Sequence, residues 1–297
     1  LLRWRLLLGA LFISALAGLM WLDHHAETSG VWLLGLAIIA GLGGANEVVE
    51  LCKSGGLRPR AALLYGGTLF VIASNAIPLL WRVVPESQAL ERAAWPLLAF
   101  MLIILAAFVG EMLRYHKPGG VIVNVAMAVF GVAYIGLTLS FCAQLRLLGG
   151  REAGLVALAA LVIVVKMGDT GAYTLGRLFG RHKMTPLLSP GKTWEGAAGG
   201  IAFALLGSWV AFHLLPRAMG FELPQRPGNW FVFGIAVGVA GVIGDLAESL
   251  FKRDMGRKDS STWMPGFGGL LDLLDSILFA APVAYLVWYA GLSENLN

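Results

Sequence analysis

Apolar residues run through this chain in long blocks, and the polar ones gather in short breaks between them. A helix needs about 20 apolar residues to cross the hydrocarbon core of a bilayer. Nine stretches approach that length, at roughly 6–22, 31–51, 62–81, 94–113, 120–140, 153–176, 194–215, 229–251 and 268–290, each bounded by charges, Pro or Gly. Backbone in lipid must satisfy its own hydrogen bonds, so these are helices or closed strands. Their length and the lack of strict alternation select helices. The pattern predicts an all-α polytopic membrane protein with about nine transmembrane helices. Small residues cluster inside the blocks, as at Gly41-Leu42-Gly43-Gly44 and Gly196-Ala197-Ala198-Gly199-Gly200. Such clusters let helices approach closely, and they leave room for a homodimer.

Composition agrees: the 297 residues are 58% hydrophobic and 13% charged, with 39 glycines and a mean hydropathy of +0.75. That excludes a soluble globular protein, and no nucleic acid is expected as a partner. Cys52 and Cys142 stand far apart in no metal-ligand spacing, so they read as small packing residues. The five histidines form no HExxH or similar pair. Arg3 and Arg5 precede the first apolar run with no small-residue cleavage site after it, which predicts an anchor and not a signal peptide.

Charge adds sidedness. With the N-terminus in the cytoplasm, fifteen of the 22 Lys and Arg fall on the inner side and six on the outer, with Lys166 inside a span. This bias predicts a cytoplasmic N-terminus, and it puts the polar loops 177–193 and 252–267 on one cytoplasmic face. The membrane expected is a cell membrane of the bacterial inner type. Residues 1–150 read as scaffold helices and 151–297 as catalytic helices of one integrated membrane domain.

Four polar elements of the C-terminal half carry candidate chemistry. At ~100° per residue, Asp245, Ser249 and Lys252 share a stripe of one helix. Lys252 and Arg253 also suit a snorkelling helix end. Asp245 does not, because an intramembrane carboxylate is costly and usually functional or paired. Asp272 and Asp275, at i and i+3, open the last span behind Pro265-Gly266-Phe267-Gly268-Gly269. Helix capping accounts for one of them, and two look like ligands of a hard cation such as Mg²⁺ held jointly with phosphates. Lys166 and Asp169 could be a self-neutralising pair, but Thr170, Tyr173 and Arg177 continue their stripe as a polar wall. Finally, Ser189-Pro190-Gly191-Lys192-Thr193-Trp194-Glu195-Gly196 invites a phosphate-loop reading, yet that motif needs Gly where this chain has Pro186. What remains is a lysine with hydroxyls in a turn entering a helix, suited to phosphate. Ser189 or Thr193 also serves as that helix's N-cap.

At these residues the chain resembles the CDP-diacylglycerol synthases, or phosphatidate cytidylyltransferases. Their signature runs Ser-x-x-Lys-Arg, four residues, Lys-Asp, a Pro-Gly-His-Gly-Gly turn, then Asp-Arg-x-Asp. Here it reads Ser249, Lys252, Arg253, Lys258, Asp259, Pro265, Gly266, Gly268, Gly269, Asp272 and Asp275. The likeness covers about residues 165–290. It departs at two positions, with Phe267 in place of His and Leu273 in place of Arg, so no proton can be assigned to position 267.

The resemblance implies transfer of CMP from CTP to phosphatidate, giving CDP-diacylglycerol and pyrophosphate within membrane lipids. It further implies Mg²⁺, with room for a second ion, on Asp245 and Asp272 helped by Asp169 or Asp275. Lys192, Lys252, Arg253 and Lys258 would hold phosphates, and Ser189, Thr193, Ser249, Asp259, Tyr173 and Arg177 would line the substrates. A cytidylyltransferase acting on another lipid phosphate remains the alternative. An ion-coupled secondary transporter is a more distant one, disfavoured by the lack of a repeat and the one-sided charge. A CDP-alcohol phosphotransferase is rejected: its DGxxAR is absent and Asp272 to Asp275 is one residue short.

Overall fold

The computed structural model describes residues 2–80, 89–261 and 268–292. It is helical in the order α1 (Leu2–His25), α2 (Val31–Ser54), α3 (Ala61–Ala73), α4 (Ala76–Leu80), α5 (Ala89–Met112), α6 (Val121–Gly131), a π-turn (Val132–Leu137) and α7 (Thr138–Arg146). There follow α8 (Arg151–Phe179), a hairpin of β1 (Lys183–Thr185) and β2 (Ser189–Thr193), α9 (Trp194–Met219), α10 (Asn229–Asp254) and α11 (Leu270–Gly291). Among the described residues eight helices are long and apolar enough to span a membrane, and α1 contains the remaining apolar stretch. The protein is an integral, multi-pass membrane protein of all-α class. The face of α5 that carries Met101, Leu102, Leu105 and Val109 leaves each of them about half exposed, a surface that lipid accepts and water penalises.

The chain forms two compact units: Leu1–Gln144 with Asp254–Leu273, and Leu145–Arg253 with Leu274–Asn297. In the first, α2 starts where Asp23 tells it to. This fully buried carboxylate accepts from the N–H of Gly30 at 3.0 and 2.9 Å and from those of Trp32 and Leu33 at 3.1 and 3.4 Å. Those amides have no partner inside their own helix, and the negative charge sits at the positive end of the dipole. Gly30 holds φ at 93°, which a side chain would resist.

The stretch at 62–81 is not one straight helix. It breaks between Ala73 and Ala76, where the Asn75 amide donates to the carbonyls of Val71 and Ile72 and to Ser140 Oγ, and Gln144 Nε2 donates to Asn75 Oδ1 at 2.6 Å. An Asn side chain that binds its own preceding carbonyls competes with the helical ladder. The π-turn lies in the span that packs against α3, where a Cβ on Gly136 would lie 3.2 Å from the Thr68 Cα. Thr138 Oγ1 donates to Tyr134 O at 2.6 Å, taking up one of its carbonyls.

In the second unit α8 and α9 lie backbone to backbone. A Cβ on Gly171 would stand 2.6 Å from the Gly199 carbonyl, and one on Gly199 would stand 2.6 Å from Leu175. The glycine cluster at 196–200 is thus a packing seam, and Gly41 and Gly44 serve the same end in the first unit, against Ile72 and Ile135. Phe212, Phe233 and Trp288 close the other end with ring centroids 4.9–5.7 Å apart. The polar loop at 177–193 is more ordered than its composition predicts: α8 runs on to Phe179, and β1 then pairs with β2 in antiparallel register, Lys183 facing Thr193.

Gly199→Leu should destabilise the protein by about 1–3 kcal/mol or more through overpacking. Gly35→Leu, where an added Cβ meets nothing within 4 Å, should leave it unchanged. Thermal unfolding of both variants in one detergent checks the contrast, and equal midpoints would count against the seam.

Candidate active site

Most of the acidic and basic side chains expected to do chemistry sit on helices or on the hairpin, and Lys258 and Asp259 lie between α10 and α11. Thr193 ends β2 and caps α9, its Oγ1 accepting from the Gly196 N–H at 3.1 Å. Glu195 in the first turn accepts from both the ring and the backbone N–H of His182, at 2.6 and 3.2 Å. The hairpin is therefore tied down at its base. This sets the position of Lys192 on β2, whose ammonium lies 2.8 Å from Asp245 Oδ2 of α10. Arg253, also on α10, donates from Nε to the Leu188 carbonyl at 3.3 Å, and Ser189 next to it is half-buried.

Gly244 precedes Asp245 because α11 passes there. A Cβ at 244 would lie 2.7 Å from the Asp275 carbonyl and 2.8 Å from Phe279. Asp275 is 9% exposed and feels the charges of Asp245, Lys166 and Asp169. The Lys166–Asp169 pair is formed, at 3.1 Å, but both groups are more than a third exposed, so it is an accessible pair and not a buried one. One turn onward Arg177 donates to the Tyr173 hydroxyl at 2.9 Å, both exposed. Three carboxylates and two lysines therefore gather in this unit, and Tyr173 and Arg177 extend the same exposed face of α8.

The Asp245–Ser249–Lys252 stripe divides. Ser249 is half-buried, whereas Lys252 is 9% exposed and pairs with Glu248, which is fully buried. Lys252 serves at least as the counter-charge of a carboxylate that the sequence reading did not single out.

Asp272 belongs to the first unit. Its Oδ2 accepts from the Ser260 N–H at 3.0 Å, the Ser260 hydroxyl at 2.6 Å and the Gly269 N–H at 2.8 Å. Glu47 of α2, only 3% exposed, reaches the same place. Its Oε1 accepts from the Leu270 N–H, and its Oε2 from the Leu271 N–H and the Ser260 hydroxyl, all at 2.8 Å. Lys258 and Asp259, just before Ser260, are exposed. Neither Glu47 nor Ser260 figured among the expected site residues. A carboxylate inside an apolar span was the available signal for Glu47. Pro265, Gly266 and Phe267 lie outside the described residues; Leu273 is half-buried on α11.

Among the described residues no three His, Cys, Asp or Glu side chains are arranged to hold a metal ion by themselves. The donor set still suits Mg²⁺, which keeps much of its shell for water and substrate phosphate and takes only one or two carboxylates. Asp245, with a cation already 2.8 Å away, is a position where positive charge is stabilised.

Comparison with known proteins gives the family. The model of the Cytidylyltransferase family matches residues 3–290. A phosphatidate cytidylyltransferase of Haemophilus influenzae is 40% identical over 129 residues, 43% of this chain and 44% of the relative. One of Staphylococcus aureus is 33% identical over 189 residues, 63% of this chain and 66% of the relative. One of Mycobacterium bovis is 29% identical over 285 residues, 94% of this chain and 87% of the relative. The matched segments thus span under half and just under two thirds of the first two relatives, and most of the third. With a match over residues 3–290, this chain belongs to the Cytidylyltransferase family.

Proposed function

We propose that this protein is a phosphatidate cytidylyltransferase that joins CTP to phosphatidate, releasing pyrophosphate and leaving CDP-diacylglycerol in the membrane. The observation that carries the reading is the Lys192–Asp245 pair beside Asp275, Lys166 and Asp169, in a chain whose relatives bear that name. A phosphatidate oxygen attacks the α-phosphorus of CTP; the bond from that phosphorus to the bridging oxygen breaks, and pyrophosphate departs. The nucleophile is already an anion, so no strong base is needed. The difficulty is bringing anions together.

Lys192 offers its ammonium to a phosphate from the end of a strand whose base is fastened by His182 and Glu195. Arg253 is exposed beside the same hairpin and can take a second phosphate. Tyr173 and Arg177 present a hydroxyl and a guanidinium along an exposed face, suited to ribose or phosphate. Asp245, with Asp275 or Asp169, would hold Mg²⁺, which when bound neutralises phosphate charge and orients the reacting oxygens. The roles of Asp272, Lys258 and Asp259 rest on their match to the family motif. The excess of Lys and Arg on one set of loops supports a cytoplasmic N-terminus and a cytoplasmic reaction face in a bacterial cell membrane. The small-residue clusters that left room for a homodimer pack within the chain, Gly44 against Ile135 and Gly199 against Leu175, and do not by themselves argue for one.

Incubating the purified chain with labelled CTP, Mg²⁺ and a panel of lipid phosphates should label phosphatidate most efficiently. Preferential labelling of another lipid phosphate would move the assignment to that substrate, and no CDP-lipid from any would refute it. Asp245→Asn should lower turnover on the order of 10³-fold with the protein still folded, and normal turnover would remove Asp245 from the site. Lys252→Met should act differently. It leaves Glu248 buried without the cation one turn away, so the loss, about 3–5 kcal/mol, should appear as lowered thermal stability.

A further inference from the structure

The carboxylate of Glu47, on α2, meets the chain 213 to 224 residues further on. Its two oxygens take the first amides of α11 and the Ser260 hydroxyl, and that same hydroxyl lies 2.6 Å from Asp272 Oδ2. Capping α11 does not require this. Asp272 already takes the Gly269 N–H, and Glu47 the amides of Leu270 and Leu271. Bringing two carboxylates to one hydroxyl adds like-charge repulsion in apolar surroundings, and a hydroxyl has only one proton to give. The same contacts explain the glycine pair of the motif. A Cβ on Gly269 would stand 2.1 Å from Ser260 Oγ and 2.3 Å from Glu47 Oε2; one on Gly268, whose φ is 87°, would stand 2.5 Å from Asp272 Oδ2.

We infer that Glu47 is a positioning residue for the reaction: through Ser260 it sets where Asp272 and the Lys258-Asp259 segment stand. The glycines are small because the chain there passes between two carboxylates. The N-terminal helices are then part of the reaction machinery, although the charge pattern of the sequence points only to the C-terminal half. This inference rests on the cytidylyltransferase reading above.

Glu47→Gln keeps the shape but turns an NH₂ toward the Leu270 or the Leu271 N–H, a donor against a donor, so at least one of its three partners is lost. In the purified full chain kcat should fall about 10- to 100-fold, as a small misplacement of a reacting group would cause, with the KM for CTP within about twofold. Hydrogen exchange at the amides of residues 269–271, measured without substrate, should quicken. Wild-type kcat, or a loss that merely tracks the folded fraction, would overturn the inference. If Glu47→Gln does not fold, Ser260→Ala removes only the bridge and should lower kcat about tenfold; wild-type kcat in that variant would also overturn it. Should the unmutated protein make no CDP-lipid, the reaction reading fails instead. Exchange at 269–271 then decides the clamp, with unchanged rates in Glu47→Gln counting against it.

Discussion

A carboxylate away from water must have a partner, and the placement of acidic residues in this protein follows from that cost. Asp23 is surrounded by the opening amides of α2, and Glu47 by those of α11. Glu111 is met by the Arg60 guanidinium at 2.6 Å, Glu248 by Lys252 and Asp245 by Lys192. Two kinds of solution appear. Where the partner is a helix N-terminus, the carboxylate decides where a helix begins. Where it is a cation, the pair is either sealed, as at Glu248, or open, as at Asp245 and Asp169. Open pairs are the ones that can exchange a partner for a substrate phosphate or a metal ion.

Glycine provides the second constraint. Carboxylates and helix ends can meet only if the backbones come close, and the close approaches occur where a side chain would intrude. Gly244 admits α11 beside Asp245, and Gly171 and Gly199 admit α8 to α9. Gly268 and Gly269 let the chain pass between Glu47 and Asp272. The glycine-rich composition that marks membrane helices is therefore also what lets charged groups be satisfied by backbone.

Much of the candidate site was legible because charge is rare in an apolar chain. The Lys166–Asp169 pair followed from i,i+3 spacing, and the Thr193 cap followed from its position before a helix. The pairing of Lys192 with Asp245 did not follow, because 53 positions separate a strand residue from a helix residue and nothing local connects them. Lys252 was legible as a cation of the motif but not as the counter-charge of buried Glu248. Burial depends on what packs against a helix, and a single helix does not record that. Glu47 was passed over because an isolated acidic residue in a span announces a partner without naming it.

The sequence by itself determined the class of protein, the positions of its apolar helices and the motif residues that mark its family, since hydropathy and motif spacing are properties of the chain taken in order. Only the tertiary structure decided which charges are paired, which are sealed and which carboxylate caps which helix. Those outcomes depend on distances of 2.6–2.8 Å between residues remote in the chain. Such distances are set by how closely glycine-bearing helices pack, and that closeness arises only when the helices have come together.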